Sequence, residues 1–358
     1  MVIRVLGIET SCDETAIGIV EDGRIVRSNT VASSLTLHAP YGGVIPDIAA
    51  RAHVEAVWMV LAQALTEAEQ TLDSIDAIAV TQGPGLPGAL LIGMAFAKGL
   101  ALSLERPLVP VDHLAAHLYA GEMTEATLEP PYVGLVVSGG HTLLCIVHSD
   151  NRYERLGDTK DDAVGEAFDK VAKLLGLGYP GGPIIDRLSV EGNPKSISFP
   201  RAHTKGTFDF SFSGLKTAVY TYVTRTLKAA PPQRATESAN ASHPLPPPSL
   251  EPEQIANIAA SFQETAVEAL VTKTLRACQR TGLRRIVVGG GVASNRRLRS
   301  RFAELAAPHK LDVVFPPPAL CVDNGAMIAG LACSLLQQGL TAPLSIATAP
   351  NQCLGVAA

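Results

Sequence analysis

Ile3-Arg-Val-Leu-Gly-Ile-Glu-Thr-Ser-Cys-Asp-Glu-Thr-Ala-Ile-Gly-Ile-Val20 is the stretch from which the fold is read. Ile3 to Ile8 is an apolar run of strand length, and Ala16 to Val20 is a second. Arg24 to Asn29 adds a third, joined to the second by the tight turn Glu21-Asp22-Gly23. Between the first two strands stands Glu9-Thr-Ser-Cys-Asp-Glu14, a tip rich in side-chain oxygens. A solvated loop and a ligand-holding tip both fit that composition. The order then returns: Tyr132 to Val137 is a strand, Ser138-Gly-Gly-His141 a polar tip, and Thr142 to His148 the returning strand. Asn151 and Arg152 turn the chain into Tyr153 to Gly157. Two such openings, each followed by helices, suggest two related α/β lobes, with a nucleotide cleft expected by analogy.

The chain has 358 residues, enough for two domains, and a net charge of −5. An acidic balance argues against a self-sufficient nucleic-acid binder, so a local patch or a partner would have to supply positive charge. The six cysteines (Cys12, Cys145, Cys278, Cys321, Cys333, Cys353) form no Cys-x-x-Cys pair, which fits a reducing cytosol rather than a disulfide framework. Val-Ile-Arg-Val-Leu at the start lacks the layout of a signal peptide, and no apolar run free of Gly, Pro and charge reaches membrane-spanning length. The expectation is a cytoplasmic chain with no membrane partner.

Further along, Asp47 to Glu69 is periodic and helical, and Ala77 to Val80 is a short strand. Gly83-Pro-Gly-Leu-Pro-Gly88 leads into a helix over Ala89 to Leu104. Glycines ahead of a helix permit close approach to an anion, but a structural turn fits equally. Asp158 to Leu177 reads as helix, broken by Gly178-Tyr-Pro-Gly-Gly-Pro183 before another from Ile184. The Pro-, Ala- and Ser-rich stretch from Lys228 to Pro252, centred on 229–249, reads as a flexible insertion. Gln254 to Thr281 is helical, and Arg285 to Val288 is a strand. It runs into Gly289-Gly-Gly-Val-Ala-Ser-Asn295 and a helix with Arg296, Arg297, Arg299 and Arg301.

The chemistry-bearing groups are few. His113-Leu-Ala-Ala-His117 places two imidazoles on one helix face, a spacing that suits a transition metal. No glutamate follows His113, so a zincin peptidase is excluded. Two histidines on a polar helix face are the plainer reading. Asp323-Asn324-Gly325 precedes an apolar helix. Asp323 fits an N-cap there, and also fits the third ligand of a two-His, one-carboxylate set. In Ser138-Gly-Gly-His141 the glycines fit either an oxyanion-binding loop or a type II′ turn. Gly289-Gly-Gly fails the dinucleotide spacing, but with Asn295 it suits packing against a purine or ribose. The arginines beyond Asn295 fit a solvated face or a phosphate contact. Asp161, Asp162, Glu166 and Asp169 interleave with Lys170 and Lys173, mostly as surface pairs. Asp169 and Asp186 flank the Gly-Pro break and are candidates for ribose hydroxyls.

The motifs LGIETSCDETA, YGGVIPDIAARAHV, TQGPGLPGALLIG, HLAAH, VVSGGHT, GEAFDKVAKLLGLGYPGGP, FDFSFSGLKTAV, VVGGGVASNRRLR and DNGAMIA occur in one order over almost the whole chain. Together they resemble the bacterial tRNA threonylcarbamoyladenosine transferases (TsaD, Kae and Gcp proteins, once misnamed O-sialoglycoprotein endopeptidases). The resemblance implies an actin/Hsp70/sugar-kinase-like (ASKHA) α/β fold of two RNase H-like lobes around a nucleotide and metal cleft. The lobes would be 1–125 with a returning helix at about 326–350, and 126–325. It implies one divalent metal on His113, His117 and Asp323, usually iron, with zinc or magnesium as alternatives. The family's substrate loop falls on Val136, Val137, Ser138, Gly139 and Gly140, and its adenylate contacts on Asp169, Gly182, Asp186 and Asn295. His113, His117, Ser138 and His141 are then the expected catalytic groups. The implied reaction moves threonylcarbamoyl from threonylcarbamoyl-AMP to the exocyclic amine of the tRNA adenosine just 3′ of the anticodon. The implied partners are tRNA, a shorter paralogous subunit of the same fold (TsaB) and a small P-loop ATPase (TsaE).

Overall fold

Residues 2–201, 204, 206–229 and 250–355 are described in the computed structural model, so the insertion expected at 229–249 lies, apart from Ala229, outside the described residues. The chain divides into two compact units. One comprises Met1–His38, Val44–Glu129 and Pro316–Ala358, the other Ala39–Gly43 and Pro130–Phe315.

Alternation builds the first unit. Its strands are β1 (Arg4–Glu9), β2 (Glu14–Glu21), β3 (Ile25–Ser33), β4 (Ala77–Gly83) and β5 (Leu108–Asp112), ordered β3-β2-β1-β4-β5. β1 runs antiparallel to β2 and parallel to β4, with Glu9 opposite Ala16. Successive side chains point to opposite faces of a strand. Leu6 and Ile8 of β1, with Ile17 and Ile19 of β2, therefore share a core with Val57, Leu61 and Met94. Those three come from the helices Pro46–Glu67 and Pro87–Leu104. By length and composition alone both helices could cross a membrane, but here each buries one stripe in this core.

The other face carries Gly7 and Gly18, and it must be smooth. A Cβ on Gly7 would fall 2.4 Å from Ala329 N, and one on Gly18 would fall 2.3 Å from Ala326 N. The helix Gly325–Gln337 thus lies directly on the backbone of β1 and β2, with the helix His113–Thr124 packed beside it. Glu9 is two residues beyond Gly7, so its side chain emerges on this helix-covered face. The chain rejoins the unit at Pro316, and the short helix Pro318–Cys321 packs on His113–Thr124. Asp323 therefore belongs to the first unit, ahead of the start at 326 expected for the returning segment.

The second unit repeats the plan with β6 (Tyr132–Val137), β7 (Thr142–Val147), β8 (Tyr153–Asp158), β9 (Arg285–Gly289) and β10 (Asp312–Val314), ordered β10-β9-β6-β7-β8. The antiparallel β6-β7-β8 meander and the parallel β6-β9-β10 edge match the first sheet strand for strand. Both hairpin turns use left-handed residues, Asp22 with Gly23 in one and Asn151 in the other. The helix expected from Asp158 begins only at Val164. Residues before it pair with the 209–213 segment instead: Lys160 N donates to Phe210 O, and Asp161 Oδ1 accepts from Phe212 N and Ser213 N. The helix expected from Ile184 starts earlier, at Gly181, because Asp169 Oδ1 takes the Gly181 N–H at 2.7 Å. Phe168 and Phe262 meet edge to face where Val164–Leu174 packs near the long helix Pro252–Thr281.

Candidate functional site

His113 opens its helix because Asp112 caps it, Oδ1 accepting from Leu114 N at 2.8 Å and Ala115 N at 2.9 Å. Both imidazoles are buried, His113 at 5% exposure and His117 at 0%, which removes the plainer reading of a polar helix face. Their rings stand edge to face with centroids 4.6 Å apart. Asp323 completes the group. Its Oδ1 lies 3.1 Å from His117 Nε2 and 3.6 Å from His113 Nε2. The competing role of Asp323 as N-cap is filled by its neighbour. Asn324 Oδ1 accepts from Met327 N at 2.9 Å, and its amide nitrogen donates to Val322 O. Asp323 is left to face the histidines.

Among the described residues these three are the group of His, Cys and acidic side chains able to share an ion. The fit can be judged from distances. Ligand atoms about 2.0–2.2 Å from one ion stand roughly 3–3.6 Å from each other, the spacing that Asp323 Oδ1 keeps from each imidazole nitrogen. Glu9 supplies the outer support that metal-bound histidines need. Its Oε2 lies 2.8 Å from His113 Nδ1 and accepts from Thr81 Oγ1 at 2.6 Å, while Oε1 takes the Ser11 N–H. Nδ1 of His117 is buried with no hydrogen-bond partner.

The electrostatics agree. Burial opposes charge on His113, but the Glu9 and Asp323 carboxylates outweigh it and raise its pKa to about 9. Burial pushes Glu9 the other way, yet His113 holds its pKa below the ordinary glutamate value. Glu14 is raised to about 9 by burial and by the Asp323 and Asp13 carboxylates, and the Cys12 thiol is pushed up for the same reasons. Acidic groups crowd together here, the Asp323 and Asp13 carboxylates acting on both Glu14 and Cys12. The tip itself is braced by His53, which meets Thr15 Oγ1 through Nδ1 at 2.8 Å and Cys12 O through Nε2 at 3.0 Å. Sequence reasoning flagged the tip but gave Glu9 and His53 no individual role.

The Gly83–Gly88 loop is structural. Gly85 N–H is spent on Pro350 O and Leu86 N–H on Ser11 O, while a Cβ on Gly83 would strike Ala349 O. Those amides are not left for an anion.

The remaining expected residues lie in the second unit. Val136 and Val137 are buried in β6, and Gly139 and Gly140 are exposed with open space around them. Neither glycine has a left-handed φ, so the tip is not a type II′ turn. Ser138 N–H donates to His141 O at 2.8 Å, and Ser138 Oγ accepts from His141 N at 3.1 Å. Of the three amides at 138–140, that of Ser138 is thus spent within the tip. Gly290, with φ +95°, packs its backbone against Val137 O, which explains one residue of the glycine run.

Asp186 lines a cavity of about 240 Å³ with Ser189, Gln263, Glu264, Arg296 and Ser300, among others, and Asn295 is joined to that lining through Gln263. Arg296 grips Asp186 twice, Nε to Oδ2 at 2.6 Å and Nη2 to the main-chain oxygen at 2.9 Å. Asn295 caps the helix Arg296–His309 through Leu298 N. Asp169 is engaged by Gly181 N beside Gly182, which has no neighbour where a Cβ would project. The arginines past Asn295 are largely neutralised: Arg297 by Glu264 and Glu304, Arg301 by Glu268 and Glu304. They are not a free phosphate patch.

Two units of one topology, each a five-stranded mixed sheet with helices, define an ASKHA-type α/β protein, here with a buried two-His, one-carboxylate group. Solved structures share that fold. Full-length HypF in the phosphate- and nucleotide-bound form aligns with a TM-score of 0.57 at 16% identity, covering 94% of this chain and 56% of that one. The (R)-2-hydroxyglutaryl-CoA dehydratase component A of Acidaminococcus fermentans gives 0.52 at 14% identity, covering 93% and 98%. The family model "TsaD: tRNA N6-adenosine threonylcarbamoyltransferase" matches residues 25–330. The tRNA N6-adenosine threonylcarbamoyltransferase of Clostridium kluyveri is 45% identical over 357 residues, 99% of this chain and 98% of the relative. That of Geobacter sp. (strain M21) is 50% identical over 347 residues, 97% and 95%. The chain belongs to the tRNA N6-adenosine threonylcarbamoyltransferase family, acyltransferases that modify tRNA.

Proposed function

We propose that the chain transfers threonylcarbamoyl from threonylcarbamoyl-AMP to the N6 amine of the adenosine just 3′ of a tRNA anticodon, forming t6A. The observation that carries the reading is the convergence of His113, His117 and Asp323, with distances fit for one ion, in a chain of this family.

In this reading the amine nitrogen bonds to the carbamoyl carbon, the bond from that carbon to the phosphate oxygen breaks, AMP leaves, and the amine gives up one proton. An adenine amine is a weak nucleophile, so the acyl group has to be held and polarised. His113, His117 and Asp323 would hold a divalent metal, iron first, with zinc or magnesium as alternatives, which supplies Lewis acidity and orientation for the acyl adenylate. Glu9 fixes the tautomer of His113, with Nδ1–H toward the carboxylate and Nε2 presented. Val136 to Gly140 form the substrate loop, with Gly139 and Gly140 N–H offered to developing negative charge. Ser138 keeps His141 at the tip as the proton acceptor. Asp169, Gly182, Asp186 and Asn295 receive the adenylate. Read as lobes, the two compact units put Asp323 in the first, with the returning C-terminal helix.

The acidic net charge supports assembly with partners that help recruit tRNA. The shorter paralogous subunit (TsaB) and the P-loop ATPase (TsaE) fill that role, working in the cytoplasm. Val54 and Trp58, one turn apart on Pro46–Glu67, are exposed with Met59 beside them, as a protein-docking surface would be.

The test is a reconstituted transfer assay with the purified chain, its partner subunits, threonylcarbamoyl-AMP and tRNA, with metal analysis alongside. Modified adenosine and stoichiometric AMP are expected. No transfer, together with phosphorylation of a small acceptor from ATP, would replace the reading with a kinase of the same fold.

A further inference from the structure

Two of the residues expected to receive the adenylate, Asn295 and Asp186, are linked through a side chain that no motif singled out. Gln263, on Pro252–Thr281, is only 4% exposed. Its Oε1 accepts from Asn295 Nδ2 at 2.7 Å, and its Nε2 donates to Ser189 Oγ at 2.6 Å. Ser189 Oγ in turn donates to the main-chain oxygen of Asp186 at 2.9 Å, the same oxygen that Arg296 grips. Asn295 Oδ1 is already committed to Leu298 N. The chain of donors runs one way: Asn295 amide to Gln263, Gln263 amide to Ser189, Ser189 hydroxyl to Asp186. Turning over either amide would set oxygen against oxygen or leave a buried donor unpaired, which a buried polar network resists. Asn295 is thus held with one amide hydrogen and one lone pair unspent, and Asp186 with Oδ1 outside the Arg296 grip.

We infer that Gln263 is a positioning residue that holds Asn295 and, through Ser189, Asp186 in the orientation that receives the nucleoside part of the acyl adenylate. This rests on the proposed roles of Asp186 and Asn295. Gln263 acts through those residues, with both of its polar ends engaged by the protein, and it touches no reacting atom.

The side chain reads differently when each end is cut. Gln263→Leu cuts both ends. Gln263→Glu keeps the acceptor for Asn295 but has no hydrogen to give Ser189, and Ser189→Ala cuts that same link from the other side.

AMP binding is measured by calorimetry on the full-length, metal-loaded protein, and KM and kcat for threonylcarbamoyl-AMP in the reconstituted assay. Gln263→Leu is expected to weaken AMP binding and raise KM by about tenfold, the scale of one buried hydrogen bond, with kcat moving less than about twofold. Gln263→Glu and Ser189→Ala should give similar rises, and their double variant no more than either alone, because both break one link. If Gln263→Leu does not fold, Gln263→Glu with Ser189→Ala decides. Wild-type AMP affinity and KM in the folded Gln263 variants, with Asn295→Ala and Asp186→Ala impaired, overturns the inference alone. Wild-type values in Asn295→Ala and Asp186→Ala as well overturn the adenylate reading beneath it.

Discussion

Glu9 Oε2 lies 2.8 Å from His113 Nδ1, and that contact decides which nitrogen of His113 faces Asp323. A carboxylate at Nδ1 keeps the proton there and turns Nε2, 3.6 Å from Asp323 Oδ1, toward the open side. Glu9→Gln retains the shape but not the charge. Metal affinity of the apo-protein should fall by about 10–100-fold, as for other outer-shell changes at metal sites. Titration with a divalent ion against a competing chelator measures it, and an unchanged affinity would remove Glu9 from the site.

The double substitution His113→Ala with His117→Ala is expected to abolish bound metal and transfer while the chain still folds. Both rings are buried, so some loss of thermal stability is expected from cavities. Near-wild-type circular dichroism with no metal by elemental analysis is the anticipated result. Full transfer by this metal-free variant would sink the proposed role of the histidines.

Asp323 and Asn324 divide two tasks between neighbours, and substitution should separate them. Asn324→Ala loses the cap on Gly325–Gln337 and should cost about 1 kcal/mol, read from denaturant midpoints. Asp323→Ala keeps the cap and should lose metal with little change in stability. The reverse pattern would mean that the roles are exchanged.

Gly18→Ala tests the close seat of that same helix. Its new methyl would fall 2.3 Å from Ala326 N and 2.6 Å from Gly325 C, both backbone atoms. Overpacking of this kind costs on the order of 1–3 kcal/mol. Because the displaced segment follows Asp323 directly, metal affinity should drop together with the melting temperature. A drop in stability alone would show that the helix end yields without moving Asp323.

Acid sensitivity has a contributor far from the site. Glu21 is held below the ordinary glutamate range by its hydrogen bond to Arg4 and by Arg27. A carboxylate with a lowered folded-state pKa adds stability above its unfolded pKa, about 4.3, and loses it as pH falls through the folded value. Glu21→Gln should therefore be less stable than wild type at neutral pH, and the gap should close in acid. Melting curves from pH 7 down to about 3 follow it, and a gap constant over that range would count against the ion pairs.

Much of the fold was legible because strand alternation and turn chemistry are local. The two strand–tip–strand openings and the turns at Asp22-Gly23 and Asn151 appear where expected, and the sheets share one order. The helix boundaries that moved did so through long-range bonds. Asp161 reaches Phe212 and Ser213, and Asp169 reaches Gly181, partners that no local window contains.

The metal group divides the same way. His-x-x-x-His on a helix is a local pattern, and the sequence alone determined that both imidazoles share a face. That Asp323 faces them, 206 residues from His117 along the chain, depended on Asn324 taking the cap and on Gly7 and Gly18 letting the last helix lie on the sheet. Glu9 reached His113 through strand parity, which sequence implies, and through the packing of two helices on that face, which it does not. Gln263 was invisible for a related reason: a lone glutamine in a helix has no pattern, and only folding brings Asn295 and Ser189 to its two ends. Local periodicity chose the elements; the close packing of backbone on backbone chose which side chains meet.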